Sequence, residues 1–140
     1  MKTDEIVINY HITEKCNYSC HYCFAKYGLD DQYALEIHND LEKVKILLKS
    51  TYCYFSKTLN IKKIRLNFAG GEPLITKNLS SIIKIAKEIG YEELSLITNA
   101  SALTNNFIDK NIDYLSTLGL SIDSFDEETN IKLGRSTIAN

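Results

Sequence analysis

Nowhere in this 140-residue chain do about 18 apolar residues run together, which excludes a helix able to cross a bilayer. The opening Met1-Lys2-Thr3-Asp4-Glu5 has no basic region leading into an apolar stretch, so no secretory signal is read there and a cytoplasmic location is expected. Positive charge is not in excess: 16 Lys and Arg face 18 Asp and Glu, for a net charge of -2. A protein that grips nucleic acid through a basic surface is therefore not expected. Linkers and low-complexity tracts are also missing, and with 44% apolar residues the composition fits one soluble domain with a true core. Cysteine is scarce, at four residues. In a reducing cytosol clustered thiols favour metal binding over disulfides.

Three of those four stand together. Cys16, Cys20 and Cys23 form a C-x3-C-x2-C run directly after a strand-like stretch. Three thiolates on one loop can hold three irons of a cubane cluster, whereas an electron-transfer cluster ordinarily takes four cysteines. The fourth iron is then open, and an open position marks a catalytic rather than a structural centre. A zinc site recruiting His11 or His21, and a disulfide framework, are the alternative readings of the same residues. Cys53 falls in the segment from Asn39 to Lys57, whose Leu41, Val44, Leu47, Leu48, Thr51 and Phe55 share one helical face. It projects roughly opposite that face, as an incidental thiol on the helix exterior.

Alternation predicts a strand over Glu5 to His11, and further strands are expected over Lys63 to Phe68, Glu93 to Thr98 and Leu115 to Ile122. Between them lie the Asn39 to Lys57 helix, a helix from Lys77 or Asn78 to Ile89 stopped by Gly90, and a helical turn over Asn105 to Asn111. Ser124-x-x-Glu127 matches a capping box for a last helix toward Leu133. Such alternation indicates βαβ units and an α/β fold with a parallel sheet. A complete eight-unit barrel takes about 250 residues, so about four units are expected here, and the chain reads as a fragment or a shortened gene product.

Parallel strands covered on both faces should be almost continuously apolar, yet these carry polar residues. Asn9 and His11 share a face, as do Arg65 and Asn67, and Ser121 and Asp123, while Thr98 and Asn99 end a strand. The C-terminal strand ends, where such folds bind ligands, are the expected place for all of them. Arg65 inside a strand calls for an anion such as phosphate, because an unpaired buried charge is costly. The Gly70-Gly71-Glu72-Pro73 turn falls at the same end, where glycine lets backbone approach a ligand closely.

Through Cys16-x3-Cys20-x-Tyr22-Cys23 and Gly70-Gly71-Glu72-Pro73 the chain resembles the radical S-adenosylmethionine (SAM) enzymes. Within them it looks like the viperin family. That closer resemblance rests on Asn9-Tyr10-His11, Cys16-Asn17-Tyr18, Asn67-Phe68-Ala69 before the glycine turn, Thr98-Asn99-Ala100-Ser101, and Ser121 to Glu127 running on to Gly134-Arg135.

The resemblance implies the N-terminal portion of a partial (β/α)6 barrel, a radical SAM core domain over 1–140 lacking its C-terminal part. It implies a [4Fe-4S] cluster on Cys16, Cys20 and Cys23, whose open iron is chelated by SAM. Tyr22 would lean on the adenine. Gly70, Gly71 and Glu72 would hold the methionine amino group, and Ser121 and Arg135 the ribose and carboxylate end. Asn9, Arg65 and Asn67 match positions that touch a nucleoside triphosphate of the CTP, UTP or GTP class. The implied activity is formation of a 3′-deoxy-3′,4′-didehydro nucleotide in antiviral defence, driven by a 5′-deoxyadenosyl radical and fed by a reductant such as flavodoxin or ferredoxin. Arg65 stands where vertebrate members carry lysine, and Ala69 where they carry serine. Their amphipathic N-terminal extension is missing, so no membrane attachment is implied. A radical SAM peptide maturase, or an inactive truncated remnant that binds a cluster, is the alternative.

Overall fold

The computed structural model describes residues 4–25 and 36–136. Its elements are β1 (Glu5–Thr13), α1 (Leu41–Cys53), β2 (Lys63–Gly70), α2 (Leu79–Ile89), β3 (Glu93–Thr98), α3 (Asn105–Asn111), β4 (Thr117–Leu120) and α4 (Glu127–Lys132). The four strands form one sheet in the order β1-β2-β3-β4. All three pairings are parallel, with Asn9 opposite Asn67, Asn67 opposite Ser95, and Ser95 opposite Thr117. The expected α/β fold is what forms.

Among the described residues, helices cover one face of the sheet. Ile64, Leu66 and Phe68 of β2 and Leu94 and Leu96 of β3 turn toward the helices and are almost wholly buried with Val44 and Leu48 of α1 and Leu79, Ile82, Ile83 and Ala86 of α2. Each of these side chains larger than alanine contributes about 1.5–3 kcal/mol by leaving water. The other face carries Asn9, Arg65, Asn67 and Ser95 and stays partly open. That one-sided cover explains why the strands alternate instead of running apolar throughout.

Three local expectations shift. Leu47 is 40% exposed rather than core-facing, while Tyr52 packs edge-on against Tyr91, their ring centres 5.2 Å apart. Cys53 is half-buried rather than fully outside. The cap of α4 is Asp126, not Ser124: its carboxylate accepts from the Thr129 backbone N–H at 2.8 Å and from Thr129 Oγ1 at 2.6 Å. A carboxylate that takes both bonds outcompetes the hydroxyl of Ser124, which instead accepts from the Asp126 N–H at 3.0 Å.

Candidate functional site

β1 runs into the cysteine loop at its C-terminal end, and β2 runs into the glycine turn at the same end of the sheet. Backbone bonds join the two. The Gly71 N–H donates to the Thr13 carbonyl and the Glu72 N–H to the Lys15 carbonyl, both at 2.8 Å. This close approach accounts for the glycine pair. A Cβ on Gly71 would stand 2.0 Å from the Lys15 carbonyl oxygen, and one on Gly70, whose φ is +119°, 2.4 Å from that of Thr13. The glycines are therefore required first by the fit of the turn to the cysteine loop.

Cys16, Cys20 and Cys23 are free thiols lining one cavity of about 460 Å³, together with Tyr22, Gly70, Gly71, Ser121 and Arg135. His11, Asn99 and Asp123 line it too. The expected cluster and SAM residues thus converge, with Glu72 as the exception. That volume lies within the usual range for a small-molecule site. Burial pushes the Cys16 thiol above its ordinary value, against a bond from the Tyr18 N–H, so binding a metal there must expel a proton. Among the described residues no group of three His, Cys, Asp or Glu converges to hold a single metal ion. A cubane asks less, because each thiolate takes a different iron, and the donor set fits it.

Glu72 is wholly buried and does not line the cavity. Its carboxylate accepts from Thr98 Oγ1 at 2.6 Å, from the Asn99 N–H at 2.7 Å and from the Leu74 N–H at 2.9 Å. Instead of facing a ligand it ties the glycine turn to the end of β3. Arg135, on the far side, has only 9% of its side chain exposed. Its Nη1 lies 2.7 Å from Asp123 and donates to the Tyr22 hydroxyl at 3.0 Å, its Nη2 donates to the Ser121 carbonyl, and its guanidinium sits 5.5 Å over the Tyr18 ring. The Tyr22 hydroxyl in turn donates to Asp123, which raises its pKa by favouring the protonated phenol. One guanidinium thereby pins the cysteine loop to the end of β4.

Arg65, Asn67 and Asn9 lie elsewhere. Arg65 is only the third residue of β2, near the N-terminal strand ends, with 38% of its side chain exposed. Its anions are already in the protein: Glu5 at 3.2 Å and Glu93 at 2.7 Å. Asn67 donates to Asn9 and accepts from Ser95 Oγ, each at 2.9 Å, in a row across three strands. None of the three lines the cavity. Two further groups, present in the motifs but given no role there, take one in the structure. Tyr18 becomes a platform only because Arg135 folds over it. Asn17, Ser101 and Asn99 form a closed ring, each donating to the next at 2.7, 2.6 and 3.0 Å.

The model of the radical SAM superfamily matches residues 10–139. The chain belongs to that superfamily. Its cofactors are a [4Fe-4S] cluster and SAM, in keeping with the thiols and cavity described above. Curated relatives include an S-adenosylmethionine-dependent nucleotide dehydratase of Fibrobacter sp. (strain UWH6), 40% identical over 96% of this chain and 39% of the relative. A protein of the same name from Psychrobacter lutiphocae is 34% identical over 94% of this chain and 45% of its own length. The S-adenosylmethionine-dependent nucleotide dehydratase RSAD2 of Siniperca chuatsi is 33% identical over 91% of this chain and 34% of its own length. This radical SAM chain thus spans less than half the length of each of these relatives. Among solved structures, BtrN in complex with AdoMet and 2-DOIA shares the fold, with a TM-score of 0.63, 19% identity, and coverage of 91% of this chain and 49% of that one.

Proposed function

We propose that this chain is the N-terminal part of a radical SAM nucleotide dehydratase of the viperin type. The observation that carries the reading is convergence: three free thiols, the glycine turn and Arg135 meet around one cavity at the C-terminal strand ends. Its likeness to curated nucleotide dehydratases supports the substrate class. Cys16, Cys20 and Cys23 would hold the cluster, and Tyr22, Gly70, Gly71, Ser121 and Arg135 would border SAM, with Glu72 acting from behind the turn. When bound, the pair supplies a carbon radical able to remove a hydrogen from a nucleotide ribose.

The chain's own residues then bind and orient. Asn9 and Asn67, already joined, offer amide groups on the open face for a nucleoside triphosphate. Arg65 reaches a phosphate only by giving up Glu5 or Glu93. A guanidinium in place of an ammonium favours a two-pronged grip on phosphate oxygens. An external one-electron donor of the flavodoxin or ferredoxin kind completes the proposal. Among the described residues no helix is long and apolar enough to cross a membrane.

Anaerobic reconstitution with iron and sulfide, then dithionite, SAM and CTP, UTP or GTP, tests this. The expected products are 5′-deoxyadenosine and a dehydrated nucleotide. Deoxyadenosine formed while every nucleotide stays intact sinks the dehydratase reading and spares the superfamily.

A further inference from the structure

The backbone that leads to Cys16 is gripped from two sides, and only one grip belongs to the motifs. On one side stand the bonds from Gly71 and Glu72. On the other stands Glu36. Its carboxylate accepts from Thr13 Oγ1 at 2.9 and 3.0 Å and from the Glu14 N–H at 2.6 Å. Thr13 is 2% exposed and its hydroxyl also accepts from the Lys15 N–H at 3.0 Å. Through Thr13 and Glu14 the carboxylate therefore holds each of the three residues that precede Cys16.

Glu36 is itself anchored. His38 Nε2 lies 2.7 Å from its second oxygen, with only 11% and 12% of the two side chains exposed. The His38 carbonyl accepts from Asn78 Nδ2 at 3.1 Å, and Asn78 stands at the N-terminal boundary of α2. The path runs without a break from a core helix to the first cysteine.

We propose that Glu36 is a positioning residue for the cluster loop, fixing the backbone from which the Cys16 thiolate reaches its iron. It touches neither the cavity nor a cysteine, so it acts only through Thr13, Glu14 and Lys15. Groups that orient metal ligands from behind typically govern metal affinity by 10- to 100-fold. Glutamine does not reproduce this carboxylate, since its one carbonyl oxygen can keep the Thr13 hydroxyl and the Glu14 N–H only with its amide NH2 turned toward His38 Nε2, where a carboxylate oxygen stood. The proposal rests on the cluster reading, and its test separates the two.

Glu36→Gln, Thr13→Val and the double variant are compared in the full chain by two measurements. In the metal-free protein, amide hydrogen exchange at Glu14 and Lys15 is expected to quicken about tenfold in Glu36→Gln, while Leu66 and Leu96 stay protected. In the reconstituted protein, iron loss to a chelator is expected to quicken about tenfold in each single variant. The double variant should be no faster than the worse single, because both act through one network. Unchanged exchange at Glu14 overturns the clamp. Faster exchange with unchanged iron loss overturns the positioning role and leaves a merely structural one. A wild-type chain that takes up no iron counts against the cluster reading, and the exchange arm then decides the clamp alone.

Discussion

Thr98 at the end of β3 donates its hydroxyl hydrogen to the Glu72 carboxylate across 2.6 Å, both side chains shut away from water. Glu72→Gln keeps the shape and swaps one acceptor for a donor aimed at either Thr98 or the Asn99 N–H. A buried group left without its partner costs about 1–3 kcal/mol. Urea unfolding should show a loss of that size, and an unchanged midpoint would refute the role given to Glu72.

Arg135 distributes its guanidinium among Asp123, Tyr22 and the Ser121 carbonyl. Arg135→Lys preserves the charge but not the planar fork, so it should not rescue Arg135→Ala. Both variants should open the cysteine loop to limited proteolysis near Tyr22 and weaken SAM binding about tenfold or more in a calorimetric titration.

Gly71→Ala sets a methyl 2.0 Å from the Lys15 oxygen and 2.5 Å from its carbonyl carbon. Backbone must move, at a cost of about 1–3 kcal/mol or more. Because the moving segment leads to Cys16, iron content after reconstitution should fall along with the thermal midpoint.

Cys20→Ala leaves two thiolates on the loop, too few for a cubane. No brown colour and less than one iron per chain are expected, and full iron content with SAM cleavage would contradict the assignment. Cys53→Ala, on α1 and away from the cavity, should leave the iron content unchanged.

Glu36 also predicts how the fold responds to acid. Burial raises its pKa, but bonds from the Glu14 N–H, His38 and Thr13 outweigh burial and hold it below the ordinary carboxylate range. The ionised form is thus favoured by folding. Its contribution is complete above the unfolded value of about 4.3 and is lost as pH falls through the lower folded value. The groups facing it are His38, at 2.7 Å, and Tyr10, whose own pKa is pushed up to about 12 by burial and by this carboxylate. Stability measured from pH 6 to 3 should decline less steeply in Glu36→Gln than in wild type.

Strand and helix positions were legible because period-two and period-3.6 apolar patterns report which face is buried, and Val44, Leu66, Ile83 and Leu96 obey them. The cysteines were legible because metal ligation needs fixed spacing on one loop. The surroundings of Arg65 were not legible, for a physical reason. Its neighbours in the sheet, Glu5 and Glu93, come from strands paired by register, and nothing local shows that two carboxylates will satisfy it. Glu72 looked like a ligand contact because a motif does not say which way its side chain turns. Glu36 gave no signal for the cysteine loop, since its partners there, Thr13 and Glu14, lie 23 and 22 positions earlier.

The Leu133 and Gly134 carbonyls accept from the His21 and Ser19 N–H groups at 3.1 and 3.0 Å, so the loop that bears Cys20 is closed by residues over a hundred positions downstream. Contacts of such sequence separation form late in folding. During synthesis, then, the cysteines leave the ribosome long before their enclosure exists, and iron insertion must wait for Gly134 to emerge or proceed on a loop held open.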